Sequence, residues 1–367
     1  MAKNSFFIIN INSFTISITG IDVCDCNVKK FYGEKKRYEG IKNNFFKNPE
    51  SLYFILHEMV EDCRNKTGRQ IRKVYLILPQ RFFRTRHNVL SVNKNSDKVI
   101  NKFDVEDIIN DSRVEIDDCI VLDCIPIAYK IEDDYVDSPL DLYLDKLEII
   151  SSSIGVLSKV HELFIDISKK INAEFVFVPV FLPLLNKLQS DYDLNRSSRI
   201  VILFNEASVN ICYCEMRAVI ATRTIDMGQN DIINAICALY KLNFSEAEDL
   251  FNHVNFNVSE GNYVINHNGI RIFDIKSTNE SIKQVIEIIA EKIKAAISQM
   301  IGETSLQAYM VGEKLCEIKG FDAILSKKLD LPLETVRPDL LLWTDSKDYP
   351  LVGLIETRLL KTEENNE

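Results

Sequence analysis

At 367 residues with 46% apolar side chains, the chain is long enough for two domains of ordinary size and has a globular composition. Its formal charge of −10 argues against generic nucleic-acid binding, which needs clustered Lys and Arg to neutralise phosphates. No run of about eighteen apolar residues occurs, and the apolar run at residues 6–11 is too short for a signal peptide. We therefore expect a cytosolic protein.

The nine cysteines and five histidines predict no metal or disulfide site. Cys24/Cys26 and Cys212/Cys214 are C-x-C pairs on strand-like runs, where alternate residues share one face, but no second pair stands at a zinc-like spacing. The histidines form no H-x-x-x-H pattern. Reduced thiols that pack as small hydrophobic side chains are expected, without a bound metal.

The first part of the chain predicts a mixed α/β unit with an insertion. Alternating and continuous apolar runs predict strands, and apolar residues at helical spacing predict helices. Strands are expected at residues 6–11, 14–21, within 29–47 and at 74–78, with a helix at 51–67 that ends at Gly68. A subdomain with strands at 88–92, 119–131 and 144–157 and an acidic helix from 104 follows, and then a helix at 158–171, a strand at 175–178 and a helix at 183–189.

A hairpin at residues 199–224 begins the second part of the chain. Apolar runs at 200–203 and 209–213 flank the polar turn Asn205–Ser208, and a third run covers 218–225. A strand, a tight turn and a strand form a phosphate-binding geometry when the turn carries glycine, but this turn carries none. Its similarity to the turn at residues 10–13 suggests an internal duplication.

The remaining elements are mostly helical. Ser245 is the expected N-cap of one of the helices, with Glu248 at the capping-box position. Helices are expected at 231–240, 245–251, 280–301, 318–329 and 352–360, with short strands between 255 and 275 and a strand at 308–311. The charged tail at 361–367 is expected to be disordered.

This order of elements resembles the actin-like ATPase superfamily and, within it, the bacterial cell-division FtsA family. Residues 125–131 read I-P-I-A-Y-K-I, similar to the family's I-P-x-x-Y-x-I-D strand with Glu132 replacing the final aspartate. Further cues are Asp226-Met227-Gly228 before a helix, the pair Ala247-Glu248 and the closing run at 349–354.

The resemblance implies an α/β, actin-like (duplicated ribonuclease-H-like) two-lobed fold with an FtsA-type inserted subdomain IC. The implied subdomains are IA at 1–80, 158–196 and 346–360, IC at 81–157, IIA at 197–227 and 280–345, and IIB at 228–279.

The nucleotide motifs of the family are degenerate in this chain. The first phosphate loop, D-I-G-T, falls on residues 10–13, and the second, D-I-G-G-G-T-x-D, falls on residues 203–210. The adenosine-loop G-G becomes Gly312-Glu313, and Phe251 replaces a lysine. The degenerate nucleotide-site positions are Asn10, Asn12, Ser13, Leu203, Asn205, Glu206, Ala207, Ser208, Asn210, Gly228, Glu248, Gly312 and Glu313.

Lost glycines and an added carboxylate disfavour phosphate by steric contact and charge repulsion. We therefore expect a pseudo-ATPase with no catalytic residue and no cofactor, ATP and Mg being disfavoured. The alternatives are weak nucleotide binding without hydrolysis and a site for another ligand. Ser13 and Ser208 are the near-matches that could still donate to a phosphate.

By resemblance, the chain is a scaffold that binds the C-terminal peptide of FtsZ through IIB at the cytoplasmic side of the division septum. Candidate contacts are Lys241, Asn243, Arg271 and Lys276. Self-association through IC and contacts with other divisome proteins are also implied. Membrane attachment is expected only indirectly, because residues 361–367 lack an amphipathic pattern. The rival hypotheses are an active ATPase of the same fold and a PilM-like peptide-binding adaptor.

Overall fold

The computed structural model describes residues 4–24, 27–38, 40–42, 44–93, 99–132, 134–136, 138–143, 145–192, 198–215, 218–266, 269–301, 306–340 and 343–359. Cys26, His267 and the tail at 361–367 lie outside the described residues.

The strands are β1 (Asn4–Ile11), β2 (Thr15–Cys24), β3 (Asn27–Arg37), β4 (Ile41–Lys42), β5 (Phe45–Phe46), β6 (Lys73–Leu78), β7 (Phe83–Asn93), β8 (Cys119–Ile131), β9 (Asp134–Val136), β10 (Lys146–Leu157), β11 (Glu174–Pro179), β12 (Ser198–Phe204), β13 (Val209–Glu215), β14 (Ala218–Ile225), β15 (Asn262–Asn266), β16 (Ile270–Asp274), β17 (Gln307–Gly312) and β18 (Leu333–Thr335). The helices are α1 (Pro49–Thr67), α2 (Lys102–Asp111), α3 (Ser158–Ile171), α4 (Phe181–Tyr192), α5 (Gln229–Tyr240), α6 (Phe244–His253), α7 (Ile275–Met300), α8 (Phe321–Leu329) and α9 (Tyr349–Leu354).

Two five-stranded sheets share one topology. The first has the order β11-β6-β1-β2-β3, with β1, β2 and β3 antiparallel and β6 and β11 added in parallel. The second has the order β14-β13-β12-β17-β18, with β17 parallel to β12 and β18 parallel to β17. In each sheet a three-strand meander is followed by two parallel strands, so the expected internal duplication is confirmed.

The chain divides into two compact units. One comprises Met1–Ser197, Cys214–Ala221 and Gly353–Glu367, and the other comprises Ser198–Tyr213 and Thr222–Val352. Each has its own apolar core between a sheet and its helices. Ile9, Leu56, Leu76 and Phe164 are among the core residues of the first unit, and Ile202, Ile232, Ile286 and Met310 are among those of the second.

Residues 81–157 form an antiparallel sheet of order β7-β10-β8-β9 with α2 packed on it. Strand β7 is longer than the predicted residues 88–92, because it pairs with β10 from Phe83 to Asn93. Hydrogen bonds tie this sheet to β14 within the first unit. Ser152 Oγ donates to the Val219 carbonyl at 3.0 Å, and His87 Nε2 lies 2.7 Å from the Ile220 carbonyl.

Three helices begin three or more residues away from the predicted position. Helix α7 begins at Ile275 rather than residue 280, because Asp274 Oδ1 accepts the Ser277 N–H at 2.8 Å and caps it. Helix α8 begins at Phe321 rather than residue 318, because Gly320 has a left-handed φ of 83° that interrupts the helix. Helix α9 begins at Tyr349 rather than residue 352.

The predicted cap of α6 is wrong. The N-cap is Asn243, whose Oδ1 accepts the Glu246 N–H at 2.9 Å, while Glu246 Oε2 accepts the Asn243 N–H at 3.1 Å. Ser245 and Glu248 lie two residues later, inside the helix. Asn243 and Glu246 fulfil the same spacing rule, and Asn caps as well as Ser does, so local pattern alone did not separate the two registers.

Replacing Asn243 by alanine is therefore expected to lower the free energy of unfolding by about 1 kcal/mol, because the Glu246 N–H loses its side-chain acceptor. Asn243→Ser should restore most of that loss, and Ser245→Ala should cost less than Asn243→Ala. Urea unfolding followed by circular dichroism measures all three. A larger loss for Ser245→Ala would contradict the capping assignment.

Candidate functional site

The first candidate loop is the turn between β1 and β2. The Asn12 N–H donates to the Thr15 carbonyl at 2.8 Å, and the Tyr38 hydroxyl donates to the Asn12 carbonyl at 3.4 Å. Ser13 is buried, and Asn10 is a half-buried residue of β1. The Asn12 N–H is thus engaged within the turn, and the Asn12 carbonyl is engaged by Tyr38.

The second candidate loop, Asn205–Ser208, is held at both ends. The Asn205 N–H donates to the Ser208 carbonyl at 2.8 Å, which closes the turn. The carbonyls of Asn205 and Glu206 accept the N–H groups of Gln229 and Asn230 at 3.1 and 2.8 Å. The first N–H groups of a helix are the ones that usually bind anions, and here the protein's own carbonyls occupy two of them.

Gly228 makes this docking of α5 on the turn sterically feasible. A Cβ at this position would lie 2.4 Å from the Asn205 carbonyl oxygen and 2.5 Å from the Ser208 nitrogen. The Gly228 N–H donates to Asp231 Oδ2 at 2.8 Å, which caps the helix. Gly228 therefore has a packing role that requires no nucleotide.

The side chains around the second loop are not those of a phosphate site. Leu203 is buried in β12 beside Val311 of β17, and Asn210 is buried with its Oδ1 accepting the Thr224 hydroxyl at 2.8 Å. Ala207 is half-buried. Glu206 Oε2 is buried and has no hydrogen-bond partner among the described residues, so it places a carboxylate where phosphate needs donors.

The third candidate loop follows β17 at Gly312-Glu313. The Gly312 N–H donates to Ser346 Oγ at 3.1 Å, and the Glu313 N–H donates to the Phe204 carbonyl at 3.0 Å. Gln229 Oε1 accepts the Leu315 N–H at 2.8 Å and so connects this loop to the start of α5. Sequence reasoning missed Gln229 and Ser346.

The environment of this third loop is acidic. Burial raises the pKa of the Cys316 thiol well above its ordinary value, and the charges of Glu313 and Glu317 raise it further. Burial opposes the charge on Lys347, but its hydrogen bond to Asp345 and the nearby charge of Glu313 outweigh burial and raise its pKa. A negative potential of this kind opposes binding of an anionic ligand.

The remaining predicted positions lie on α6. Glu248 is half-buried, and Phe251, at the position of the family's lysine, is fully buried in the core of the second unit. An apolar core side chain cannot provide the charge or the hydrogen-bond donors of a lysine. Within each unit, the residues present do not fit Mg and ATP. Backbone groups of the loops form hydrogen bonds within the protein, and carboxylates stand where phosphate would need hydrogen-bond donors. Among the described ranges, no group of three His, Cys, Asp or Glu side chains could hold a metal ion.

The four predicted peptide contacts lie around the β15–β16 hairpin, and two of them also have structural partners. Asn243 caps α6, and Arg271 Nη2 lies 3.4 Å from Glu246 Oε1. Lys241 ends α5 with a φ of 53°, and Lys276 is exposed in the first turn of α7. The apolar outer face of this hairpin was not predicted from the sequence.

That hairpin face consists of Val264, Ile270 and Ile272, which are 50%, 72% and 64% exposed. Val264 lies opposite Ile272, and Ile270 lies opposite Asn266. The inner face of the same ribbon buries Tyr263, Ile265 and Phe273 in the core. The sequence did contain a signal for this face, because apolar residues occupy both the inward and the outward positions of the two short strands. A ribbon with one solvated face usually alternates apolar with polar residues.

No protein-family model matches the chain, and no curated protein sequence matches it. Solved structures do match. The PilM-PilN type IV pilus biogenesis complex has a TM-score of 0.61 at 11% identity and covers 95% of this chain and 97% of the other. MreB5 of Spiroplasma citri bound to AMPPNP has a TM-score of 0.55 at 10% identity, with 99% of each chain covered.

The ethanolamine utilization protein EutJ from Carboxydothermus hydrogenoformans has a TM-score of 0.53 at 12% identity and covers 96% of this chain and 89% of the other. Likeness at these identities shows the fold alone. The chain has the actin-like ATPase fold with mixed α/β sheets, which confirms the predicted actin-like fold class, whereas the FtsA type of the inserted subdomain stays a prediction. In the parts of the chain described, no helix is both long and apolar enough to span a membrane.

Proposed function

We propose that this chain is a noncatalytic adaptor with the actin-like fold. In our leading hypothesis it is an FtsA-like scaffold that binds FtsZ and other divisome proteins at the cytoplasmic side of the septum. It reaches the membrane through partners and does not hydrolyse ATP.

The observation that carries this proposal is the docking of α5 on the Asn205–Ser208 turn. Two helix N–H groups donate to turn carbonyls, and the turn closes on itself through the Asn205 amide. A phosphate would have to displace these bonds and approach the Glu206 carboxylate, whose Oε2 is buried. Each such cost is on the order of 1 kcal/mol or more, and together they disfavour a nucleotide at this loop.

The exposed face of the β15–β16 hairpin supports a peptide-binding role. Val264, Ile270 and Ile272 present an apolar surface, and the exposed Lys276 adds positive charge to the same part of the second unit. The C-terminal peptide of FtsZ is expected to be partly acidic, so apolar contact would provide affinity while Lys276 favours an acidic partner.

A second candidate is a PilM-like adaptor that binds a short peptide of an inner-membrane assembly. The TM-score of 0.61 to the PilM-PilN complex favours it, although 11% identity carries no partner with it. Co-precipitation separates the two candidates. Recovery of FtsZ supports the division role, whereas recovery of a PilN-like protein without FtsZ would replace it with the pilus role.

Replacing both Ile270 and Ile272 by serine is expected to weaken binding of the FtsZ C-terminal peptide at least about tenfold, because two exposed apolar contacts are lost. Ile288→Ser is a matched control, since Ile288 is 49% exposed on α7 away from the ribbon. Fluorescence anisotropy with a labelled peptide measures both. Equal affinity in the double variant and the control would exclude the hairpin face as the docking surface.

A further inference from the structure

We propose that an exposed apolar patch on the inserted sheet of residues 81–157 binds a basic amphipathic segment of a partner protein. The patch, called the distal patch below, consists of Val99, Phe103, Leu140, Leu142 and Tyr143. It lies in the first unit and involves none of the candidate loops, so it is independent of the proposed function.

Backbone hydrogen bonds place the two chain segments that carry most of the distal patch side by side. The Ile100 N–H donates to the Leu142 carbonyl at 3.0 Å, and the Asp141 N–H donates to the Ile100 carbonyl at 3.0 Å. Val99 and Tyr143 form an antiparallel bridge beside them. Helix α2 begins two residues after Ile100, so Phe103 in its first turn stands next to the paired segments.

The distal patch is not needed to bury the core of the inserted sheet. That core consists of Ile100, Ile108, Tyr129, Leu147 and Ile149. By contrast, Phe103 is 76% and Tyr143 65% exposed, and the other three members are 37–41% exposed. Contiguous exposed apolar side chains, unlike single ones, mark surfaces that bind another molecule.

The charge around the distal patch determines what kind of partner fits. Residues 99–145 contain fourteen Asp or Glu and three Lys or Arg, a net charge of −11, against −10 for the whole chain. The rest of the chain is therefore nearly neutral. Glu106, Asp107, Asp141 and Asp145 are exposed on α2 or beside the paired segments. A basic partner is attracted to such a surface, and anionic lipid is repelled.

The same charge argues against a symmetric contact between two copies of this chain. Such a contact would bring the exposed carboxylates around the patch close to their copies, and like charges facing each other across an interface cost several kcal/mol. The partner chemistry that satisfies both features is a segment with Lys or Arg on one face and apolar side chains on the other. Apolar side chains would cover Phe103 and Tyr143 while the cations meet the surrounding carboxylates.

A labelled amphipathic peptide of leucine and lysine at helical spacing is a suitable probe, and fluorescence anisotropy with the full chain at about 0.15 M salt measures its binding. We expect saturable binding that weakens at least tenfold in the double variant Phe103→Ser/Tyr143→Ser. Phe54→Ser is the matched control, because Phe54 is 66% exposed in the same unit outside the patch, and it should bind as the wild type does.

Two further probes separate charge from apolar contact. A peptide with glutamate in place of lysine should not bind, and one with serine in place of leucine should bind at least tenfold more weakly. The variant Asp107→Asn/Asp141→Asn/Asp145→Asn, which keeps the apolar patch, should bind more weakly and with a shallower dependence on salt.

Circular dichroism and thermal unfolding establish that each variant is folded. Failure of the leucine–lysine peptide to bind, or equal binding by the wild type and Phe103→Ser/Tyr143→Ser, would overturn the proposal. Sedimentation without peptide tests whether a second copy of the chain occupies the patch. Self-association of the wild type that Phe103→Ser/Tyr143→Ser abolishes would assign the patch to a second copy of the chain and would also overturn the proposal.

Discussion

Replacing Gly312 by alanine is expected to lower the free energy of unfolding by about 3 kcal/mol or more. A Cβ at this position would lie 2.0 Å from the Phe204 carbonyl oxygen, a backbone atom that cannot move aside without shifting β12. The φ of 143° adds strain for any side chain. Steric overlap and backbone strain therefore act at the same residue.

Gly269→Ala provides the matched control for that substitution. Its φ of 122° is equally unfavourable for a side chain, but no atom lies within 4 Å of the added Cβ. It should cost only the backbone strain, about 1–3 kcal/mol. Urea unfolding of both variants without nucleotide isolates the steric part. Equal losses would show that the close approach of Gly312 to Phe204 does not contribute to stability.

Gly228→Ala should also destabilise the protein, lowering the free energy of unfolding by about 1–3 kcal/mol. Gly228 has an extended φ of −151°, so alanine meets no backbone strain there. The added Cβ would instead push α5 away from the Asn205 carbonyl and the Ser208 amide. Hydrogen exchange should then speed up at the Gln229 and Asn230 amides, which donate to the turn.

The outcome for Gly228 also separates two explanations for its presence. If the residue serves the packing of α5, Gly228→Ala destabilises the protein without any ligand. If it serves close approach of a phosphate, stability without ligand is unchanged, and only stabilisation by added ATP is lost. The second result would contradict the structural role assigned to Gly228.

The duplicated sheets were predictable because each strand carries its own pattern of apolar residues. The Asn205–Ser208 turn was visible as a polar interruption, and the strands beside it were visible as the apolar runs on either side. The residue that caps α6 could not be predicted from spacing alone, since Asn243/Glu246 and Ser245/Glu248 both fit the capping-box spacing. The structure selects the first pair, in which Glu246 is buried.

The degenerate loops were predictable, whereas the contacts that close them were not. The missing glycines can be counted in the sequence. In contrast, Gln229 accepts the Leu315 N–H across 86 positions of sequence, and Gly228 contacts a turn more than twenty residues earlier. Such long-range contacts leave no periodic signal in one sequence. The two matching glycines, Gly228 and Gly312, looked like remnants of a nucleotide site, but each also meets a packing requirement.

Calorimetric titration with ATP and Mg, run beside the FtsZ C-terminal peptide on the same preparation, tests the noncatalytic adaptor most directly. We predict that ATP and Mg up to about 1 mM give no saturable heat, so that any binding free energy is weaker than about −4 kcal/mol. The peptide, in contrast, is expected to give saturable heat. Micromolar ATP binding, about −8 kcal/mol, would contradict the closed loops, whatever the peptide does.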